Sequence, residues 1–291
     1  MMSSNEIKHI LVVGAGQMGH QIAMLCALGG YRTSLQDVNS EALKDAEASL
    51  EKRMDKWVAS GKLTASSKET AFQNLTFTDN LNEAARDADF VIEAIVEKLT
   101  SKQQLFRELD RLTPKHAILA SNSSTIVNSL LAEVTERPDK VCNAHFFFPP
   151  LVMECVEIVM SEETSEETAQ TALAVCEQIG KEGIILRKEI SGFVANRILG
   201  AIHKEAIALY ENGIADFKDI DLIVKKSLGH PLGPFELIDL SGADVVNFVM
   251  QQQFAETGNQ ADKPAACIVQ KVEAGHLGRK TGQGFYSYNR G

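Results

Sequence analysis

The sequence has few cysteines, and they form no pattern that would hold a metal. There are five, an odd number, and no two make a C-x-x-C pair; they are Cys26, Cys142, Cys155, Cys176 and Cys267. Several lie in apolar runs, which is typical of reduced, buried thiols. The sequence therefore predicts neither a disulfide framework nor a zinc site, and no metal is expected.

Positive charge and long apolar runs are also scarce. Lysine and arginine number 29 against 39 aspartates and glutamates, and the net charge of -10 argues against a general nucleic-acid or membrane-surface binder. A local basic patch for an anionic ligand stays compatible with this total, because net charge says nothing of its distribution. No stretch approaches ~18 uninterrupted apolar residues, and the first residues lack a long apolar signal segment. We expect a cytoplasmic protein that binds neither nucleic acid nor membrane.

What the sequence does contain is an alternation of strand-like and helix-like segments. The chain has 291 residues, 44% of them hydrophobic, which is enough for two domains and a sizeable core. From residue 8 to about 190, the predicted strands are HILVVG, RTSLQDV, DFVIEAI, AILASN and KVCNAHF. Helical patterns such as 41–59 and 100–112 lie between them. This alternation predicts an α/β domain with parallel strands joined by right-handed crossovers.

The pattern becomes helical after about residue 190. Apolar residues recur at helical spacing from 195 to 209, with Ser191 expected to cap the start of this helix and Gly213 to follow its end. Residues 217–228 and 235–257 continue in helical style, and no clear strand precedes the final GFYSY. We therefore predict a domain over 1–190 and an all-helical domain over 191–291.

The segment ILVVGAGQMGHQIAMLCALGG carries a dinucleotide-binding pattern. Gly14, Gly16 and Gly19 have G-x-G-x-x-G spacing after a strand and at the start of a helix. The first glycine permits the tight turn, the second lets backbone approach a pyrophosphate, and the third packs helix on strand. Asp37 ends the second strand, where a carboxylate accepts from ribose hydroxyls and repels a 2′-phosphate. The pattern predicts NAD rather than NADP.

Seven motifs, in this order, resemble the L-3-hydroxyacyl-CoA dehydrogenase family. They are GAGQMG, EAIVEKLTSKQQLF, SNSSTI, HFFFP, GFVANR, GHPLGPFEL and GRKTGQGFY, spread over nearly the whole chain. The resemblance implies oxidation of the 3-hydroxyl of an acyl-CoA with NAD, or the reverse reduction. It also implies a Rossmann-like domain with a doubly wound, mostly parallel sheet, followed by a helical domain that mediates homodimerisation.

The same resemblance implies roles for individual residues. His145 would be the catalytic base, Glu157 its partner, and Ser124 and Asn196 substrate ligands. The implied NAD contacts are Gly14, Gly16, Gln17, Met18, Gly19, Asp37, Ala94, Glu97, Lys102, Ser124 and Lys280, and the implied coenzyme A contacts are Ser49 and Lys56.

The stretch HFFFPPLVMECVE shows how His145 and Glu157 could meet. His145 ends a predicted strand, at the edge where open α/β sheets place ligands. The chain turns at FPPL, and an antiparallel return would bring Glu157 back beside it. An ionised carboxylate in CVEIVM costs free energy unless it is paired, and an imidazole would be a suitable partner. The residues alone leave an alternative open, in which Glu157 points outward from a half-exposed strand.

Other candidates also have ordinary structural explanations. Ser124 lies in a Ser/Asn-rich turn, and Asn196 would lie in the first turn of a helix, where asparagine is common. The basic residues around Lys56 suit the phosphates of coenzyme A, but a solvated charged helix face is the more common meaning of such a pattern.

Three positions depart from the family pattern. Family members usually have asparagine at the position of Phe148, lysine at that of Glu154 and proline at that of Ser191. The change at Phe148 removes a hydrogen-bonding side chain beside the proposed base. The first hypothesis is a dehydrogenase of short L-3-hydroxyacyl-CoA thioesters such as 3-hydroxybutyryl-CoA. The second is a dehydrogenase of a non-CoA 3-hydroxy acid, and the third is an NAD-binding protein without activity.

Overall fold

The computed structural model of the chain describes residues 7–288, with the backbone alone for Glu256 and Ala261. These residues form two compact units, the first ending at Phe193 and the second beginning at Val194. The first unit holds a sheet between helices, and the second is built from helices.

A mostly parallel sheet forms the centre of the first unit. Its strands are β1 His9–Val13, β2 Arg32–Gln36, β3 Leu75–Thr78, β4 Phe90–Glu93, β5 Ile118–Ser121, β6 Val141–Phe146, β7 Cys155–Val159 and β8 Glu182–Leu186. They follow the order β3-β2-β1-β4-β5-β6-β7-β8, and every neighbouring pair is parallel except β6 and β7. The predicted fold class is confirmed.

Helices cover both faces of this sheet. They are α1 Gly19–Leu28, α2 Ser40–Ala59, α3 Ala65–Asn74, α4 Leu81–Ala85, α5 Leu99–Leu112, α6 Ser129–Ala132 and α7 Glu166–Gln178, with a 3-10 turn at Pro138–Lys140. Successive side chains of a strand point to opposite faces. In β1, Ile10 and Val12 enter the apolar cluster that contains residues of α1, α2 and α7, while Leu11 and Val13 enter the cluster with residues of α5. The unit is thus a three-layer sandwich.

The strand order reverses between β1 and its neighbours. The chain leaves β1 for β2 on one side and later reaches β4 on the other. In open α/β sheets, ligands bind in the crevice at the carboxyl ends of the strands at such a switch point. The glycine turn after β1 lies at this crevice.

Strand β3 and helix α3 are among the elements of the first unit that the sequence pattern did not predict. Strand β3 is only four residues long, and of these only Leu75 is buried. The preceding helix α3 is capped by Thr64, whose Oγ1 accepts from the Ser67 N–H at 3.0 Å. Neither element has a strong apolar period, so the sequence pattern did not reveal them.

The second unit contains five α-helices within the described residues. They are α8 Ala195–Glu211, α9 Phe217–Ser227, α10 Pro234–Ser241, α11 Ala243–Thr257 and α12 Ala266–Glu273, with 3-10 turns at Gln260–Asp262 and Arg279–Thr281. Their core contains Phe235, Ile238, Ile268 and Phe285. The segment GFYSY forms only isolated bridges. Nowhere between residues 7 and 288 is a helix both long and apolar enough to cross a membrane.

Two details of the helical unit differ from expectation. The expectation that Ser191 caps the long helix is wrong, because α8 begins at Ala195 and Val194 takes the N-cap position without a side-chain cap. Gly192 and Phe193 have φ of 76° and 47°, which keeps the chain out of the right-handed helical conformation after Ser191. The pattern over 235–257 is also interrupted, since Gly242 with φ 106° separates α10 from α11.

A buried aspartate fixes the end of the described chain. Asp239, on α10, accepts from the N–H groups of Phe285 and Tyr286, both at 2.8 Å, and from the Tyr288 hydroxyl at 3.0 Å. A Cβ at Gly284 would lie 2.0 Å from the Asp239 carboxylate. Glycine at this position therefore lets the GFYSY segment approach α10 closely.

Candidate active site

His145 and Glu157 form a buried pair at the carboxyl end of β6. The antiparallel register places His145 directly opposite Glu157 of β7, and Nδ1 lies 2.8 Å from the carboxylate Oε2. Their exposed fractions are only 3% and 4%. The predicted antiparallel return is present, and the alternative of an outward-facing Glu157 is excluded. A carboxylate that accepts from Nδ1–H leaves Nε2 as the basic nitrogen of a neutral imidazole.

Ser124 lies beside that second nitrogen. Its Oγ is 3.0 Å from His145 Nε2, and the residue is half-buried in the turn after β5. The hydroxyl can donate to neutral Nε2 and can also contact a second oxygen. The structure thus joins Glu157, His145 and Ser124 in one polar chain.

Glu97 holds the turn that carries Ser124. Its Oε1 accepts from the N–H groups of Ser124 and Thr125, both at 3.1 Å, and from the hydroxyls of Ser123 and Thr125. Burial raises the pKa of Glu97, but the positive charge of Lys102 and these hydrogen bonds outweigh it, and the net direction is downward. Glu97 is therefore held as a carboxylate.

Behind Glu97 lies an ion pair that the sequence analysis did not identify. Glu93, the last residue of β4, is 0% exposed, and Lys102 of α5 is 1% exposed. Lys102 Nζ lies 2.6 Å from Glu93 Oε1, and Glu93 Oε2 accepts from the Ser121 hydroxyl at 2.7 Å. The available signal was a glutamate closing an otherwise apolar strand in DFVIEAI, with a lysine nine positions later.

The glycine turn has the shape that a dinucleotide requires. Gly14 has φ 105°, and a Cβ there would lie 2.6 Å from the Ala94 carbonyl oxygen. A Cβ on Gly19 would lie 1.8 Å from the Gly14 oxygen, so strand and helix meet without room for a methyl group. Beside Gly16 no atom of the described residues lies within 4 Å of a Cβ position, and Gln17 next to it is exposed. The space beside Gly16 is therefore open to a pyrophosphate, which could accept hydrogen bonds from the N–H groups of the first turn of α1.

Two further candidates lie beside this turn. Asp37 follows β2, and its carboxylate accepts from Ala15 N–H at 2.7 Å and from Asn39 N–H at 2.9 Å. A carboxylate has room for more donors, so Asp37 fits a ribose. Met18, half-buried before α1, packs on the apolar cluster of the first unit.

Aromatic rings surround the imidazole of His145. The ring centroid of Phe147 lies 4.7 Å from that of His145, and the buried Phe193 ring lies at 5.4 Å. Phe148 points elsewhere, with 59% of its surface exposed. The imidazole of His145 is therefore shielded from water on the side of these two rings.

The remaining candidates lie on α2 and in the second unit. Ser49 and Lys56 are both exposed on α2, seven positions apart and thus on one face of the helix. In the second unit, Asn196 is exposed in the first turn of α8. Lys280 lies in the 3-10 turn near the end of the described chain and pairs with Asp244 at 2.5 Å. Across residues 7–288, no group of three or more His, Cys, Asp or Glu residues could hold a metal ion.

Comparison with known proteins gives consistent matches over both units. The model of the 3-hydroxyacyl-CoA dehydrogenase NAD binding domain matches residues 9–190, and the model of the 3-hydroxyacyl-CoA dehydrogenase C-terminal domain matches residues 192–288. A Bacillus subtilis (strain 168) protein named "Probable 3-hydroxybutyryl-CoA dehydrogenase" is 38% identical over 283 residues, covering 97% of this chain and 98% of its own.

Solved structures match equally well. (S)-3-hydroxybutyryl-CoA dehydrogenase PaaH1 from Ralstonia eutropha has a TM-score of 0.91 at 34% identity, with 98% of this chain and 100% of that chain covered. A diketoreductase that acts on dicarbonyl compounds has a TM-score of 0.88 at 31% identity, with 99% and 100% covered.

Proposed function

This chain belongs to the 3-hydroxyacyl-CoA dehydrogenase family, and from that premise we propose that it oxidises the 3-hydroxyl of short-chain L-3-hydroxyacyl-CoA thioesters, reversibly. Its cofactor is NAD, and it is an NAD-dependent oxidoreductase. The observation that carries the finer proposal is the polar chain from Glu157 through His145 to Ser124.

His145 is proposed as the general base. NAD, which the glycine turn and Asp37 would hold, would supply the hydride acceptor for the carbon that carries the hydroxyl. His145 Nε2 takes the hydroxyl proton, so that the products are the ketone, reduced cofactor and an imidazolium. Glu157 stabilises that imidazolium through Nδ1, 2.8 Å away. In the reverse direction the imidazolium returns the proton to the oxygen.

Ser124 and Asn196 are proposed as substrate ligands. The Ser124 hydroxyl, 3.0 Å from Nε2, would also bind the reacting oxygen and so place it beside the base. The Asn196 amide would donate to a substrate oxygen, where it stabilises developing negative charge. The implied cofactor contacts at Gln17, Met18, Ala94, Glu97 and Lys280 belong to the same proposal.

The exposed face of α2 is proposed as the coenzyme A contact. Ser49 and Lys56 lie on it, and Lys62 just beyond the helix places its ammonium 4.2 Å from the centre of the Trp57 ring. In a chain with net charge -10, this group of cations is suited to phosphate.

Turnover with defined substrates tests the proposal. Purified protein is mixed with NADH and acetoacetyl-CoA, and NADH loss is followed at 340 nm, together with a series of longer 3-ketoacyl-CoA thioesters. We expect the C4 thioester to react fastest and His145→Gln to lower kcat by about 10²- to 10⁴-fold. The half-buried His276, in the helical unit, provides a control as His276→Gln. NADH binding without turnover of any thioester would contradict the proposal and favour a catalytically silent protein.

A second candidate function keeps the chemistry and removes coenzyme A. It is favoured by Phe148, which is 59% exposed and follows His145 by three residues, at a position where family members usually have asparagine. Free acetoacetate and simple diketones belong in the same assay. This candidate replaces the first if they react, if His145→Gln abolishes that reaction, and if no CoA thioester reacts.

We also propose that the protein is a homodimer formed through the helical unit. That unit exposes a large number of apolar side chains, which in a lone chain would stay in contact with water. They are Val194, Ile198, Ile214, Leu222, Ile223, Leu228, Leu240, Val245, Phe248 and Val249.

A further inference from the structure

Two lysines from different parts of the first unit interact with each other and have no acidic partner. Lys62 follows α2 and is exposed, whereas Lys181 lies between α7 and β8 with only 8% of its surface exposed. Among the side chains that the structure describes, no carboxylate forms an ion pair with either lysine. Buried lysines are normally paired with an acidic group. An anion from outside the protein would therefore stabilise this arrangement.

The ammonium of Lys181 has room for further acceptors. Its Nζ donates to the Met153 carbonyl at 2.7 Å, the one hydrogen bond that this side chain makes among the described residues. An ammonium has three N–H bonds, so two remain for a ligand or for water. Burial lowers the pKa of Lys181, as does the positive charge of Lys62, while the negative charge of Glu154 opposes both. A bound anion would offset the repulsion between the two ammonium groups.

Trp57 holds Lys62 in place. The Lys62 N–H donates to the Trp57 carbonyl at 2.9 Å, and the ammonium lies 4.2 Å from the centre of the Trp57 ring. Trp57 is half-buried and packs on the apolar cluster of the first unit. A cation over an aromatic face loses part of its freedom before a ligand arrives, which lowers the entropic cost of binding an anion. Lys62 is therefore a preorganised cation.

The two lysines lie between the helix proposed to bind coenzyme A and the turn that joins β6 to β7. Lys62 comes just beyond the end of α2, and Met153, which Lys181 contacts, belongs to the turn. A phosphate monoester carries roughly 1.5 to 2 negative charges at neutral pH, which matches two ammonium groups. Coenzyme A carries one such group, its 3′-phosphate.

We propose that Lys62 and Lys181 together bind the 3′-phosphate of coenzyme A. This inference rests on the proposed use of CoA thioesters. It assigns a binding role to Lys181, and it names the chemical group by which the protein would distinguish a CoA thioester from a free 3-hydroxy acid.

The test compares coenzyme A with 3′-dephospho-coenzyme A, which lacks only this phosphate. Trp57 is the one tryptophan of the sequence, so its fluorescence reports on the surroundings of Lys62 without turnover, and calorimetry provides a second measurement of Kd. We expect Lys181→Met and Lys62→Met each to raise the Kd for coenzyme A by roughly tenfold and to leave the Kd for dephospho-coenzyme A close to wild type. Lys44→Met, an exposed lysine near the start of α2, is the control and should match wild type with both ligands.

Glu154→Gln should have the opposite effect. It removes a negative charge that acts on Lys181 and would repel the phosphate. We expect the Kd for coenzyme A to fall by roughly twofold or more, with the Kd for dephospho-coenzyme A unchanged.

Equal affinity of wild type for the two ligands would overturn the proposal. So would an equal loss of affinity for both ligands in Lys181→Met, because Lys181 would then only support the Met153 carbonyl. Lys62→Met changes an exposed side chain and decides the question if Lys181→Met does not fold. Tighter binding of coenzyme A than of its dephospho form, without turnover of any thioester, would contradict the proposed function alone. If coenzyme A does not bind at all, both are wrong.

Discussion

At the scale of single residues, Glu157 determines, in the proposed mechanism, which nitrogen of His145 can take the substrate proton. Its carboxylate accepts from Nδ1, so the neutral ring presents an unprotonated Nε2 toward Ser124. An amide at position 157 could donate to Nδ1 instead and would favour the opposite tautomer. The pair is buried, so water cannot replace the lost acceptor.

We therefore expect Glu157→Gln to lower kcat by about 10²- to 10⁴-fold with little change in the Kd for NADH, because the ring would carry its proton on the wrong nitrogen. Steady-state kinetics with acetoacetyl-CoA and fluorescence titration with NADH measure the two quantities. Glu162→Gln, in the exposed loop after β7, is the control. Activity of Glu157→Gln within a few-fold of wild type would show that tautomer control is unimportant here.

A different histidine affects stability rather than chemistry. His203 of α8 is 6% exposed, and its Nε2 is buried with no hydrogen-bond partner among the described residues. Burial lowers the pKa of His203 from 6.5 to about 4. In the unfolded chain, His203 therefore binds a proton below pH 6.5, whereas in the folded chain it binds this proton only below about pH 4. By linkage, stability falls as the pH falls through this window.

Between pH 7.5 and pH 5, this single group should reduce the free energy of unfolding by roughly 2 kcal/mol. The substitution His203→Leu should weaken the pH dependence of the free energy of unfolding. His276→Gln, in the same unit, should leave that pH dependence unchanged. Urea unfolding followed by circular dichroism at several pH values gives the comparison. If the free energy of unfolding depended on pH equally in wild type and His203→Leu, this role of His203 in stability would be ruled out.

At the scale of elements, the glycine turn separates folding from cofactor binding. A methyl group on Gly19 would meet the Gly14 carbonyl at 1.8 Å, whereas one on Gly16 would enter open space. The two glycines lie in the same turn, but a side chain is excluded at each of them for a different reason. Gly19 is required for strand β1 and helix α1 to pack, whereas the proposed need for glycine at position 16 is the close approach of the cofactor.

Gly16→Ala should thus keep the wild-type unfolding temperature but weaken NADH binding by roughly tenfold or more, because the methyl occupies the space of the pyrophosphate. Gly19→Ala should lose stability outright. Gly200→Ala, another glycine with open space around its Cβ position, is the matched control for NADH binding. An unchanged Kd for NADH in Gly16→Ala would place the pyrophosphate elsewhere.

How much the sequence predicts depends on how local the determining interactions are. Strand β1 was predictable because all five of its residues are buried and the last four, from Ile10 to Val13, form one continuous apolar run. Strand β3 was not, because its four residues are mostly half-buried or exposed and it is placed by pairing with β2. The meeting of His145 and Glu157 was one of two alternatives that the residues allowed, since only a turn separates the two strands that carry them.

The Glu93 and Lys102 pair marks the limit of such prediction. Glu93 accepts a hydrogen bond from Ser121, 28 residues away in the sequence. The two residues meet because β4 pairs in parallel with β5. A sequence pattern does not carry that information. The start of α8 was mispredicted for a related reason, because the backbone at Phe193, with its positive φ, follows from tertiary packing rather than from local preference.

At the scale of the whole molecule, the apolar face of the helical unit sets the expected assembly. On α11, Val245, Phe248 and Val249 are 46%, 55% and 48% exposed, at spacings that place them on one side of the helix. Such a patch is costly in a monomer and favours self-association.

Light scattering after gel filtration should therefore give twice the chain mass of 31.8 kDa. Phe248→Asp should shift the protein toward the monomer, because an ionised side chain would be buried in the interface. Lys263→Asp, an exposed change in the same unit, should leave the mass unchanged. A wild-type protein of single-chain mass at all concentrations would refute the homodimer.

The register of β6 and β7 also bears on how this protein could change over evolutionary time. The β6–β7 ladder and the hydrogen bond between the two side chains hold His145 opposite Glu157, so the connecting turn at 147–154 can vary without separating them. That turn carries Phe148 and Glu154, two of the three departures from the family pattern. New substrates could thus be acquired by altering the turn while the proton-transfer chemistry is inherited intact, which makes this hairpin the part of the molecule most open to adaptation.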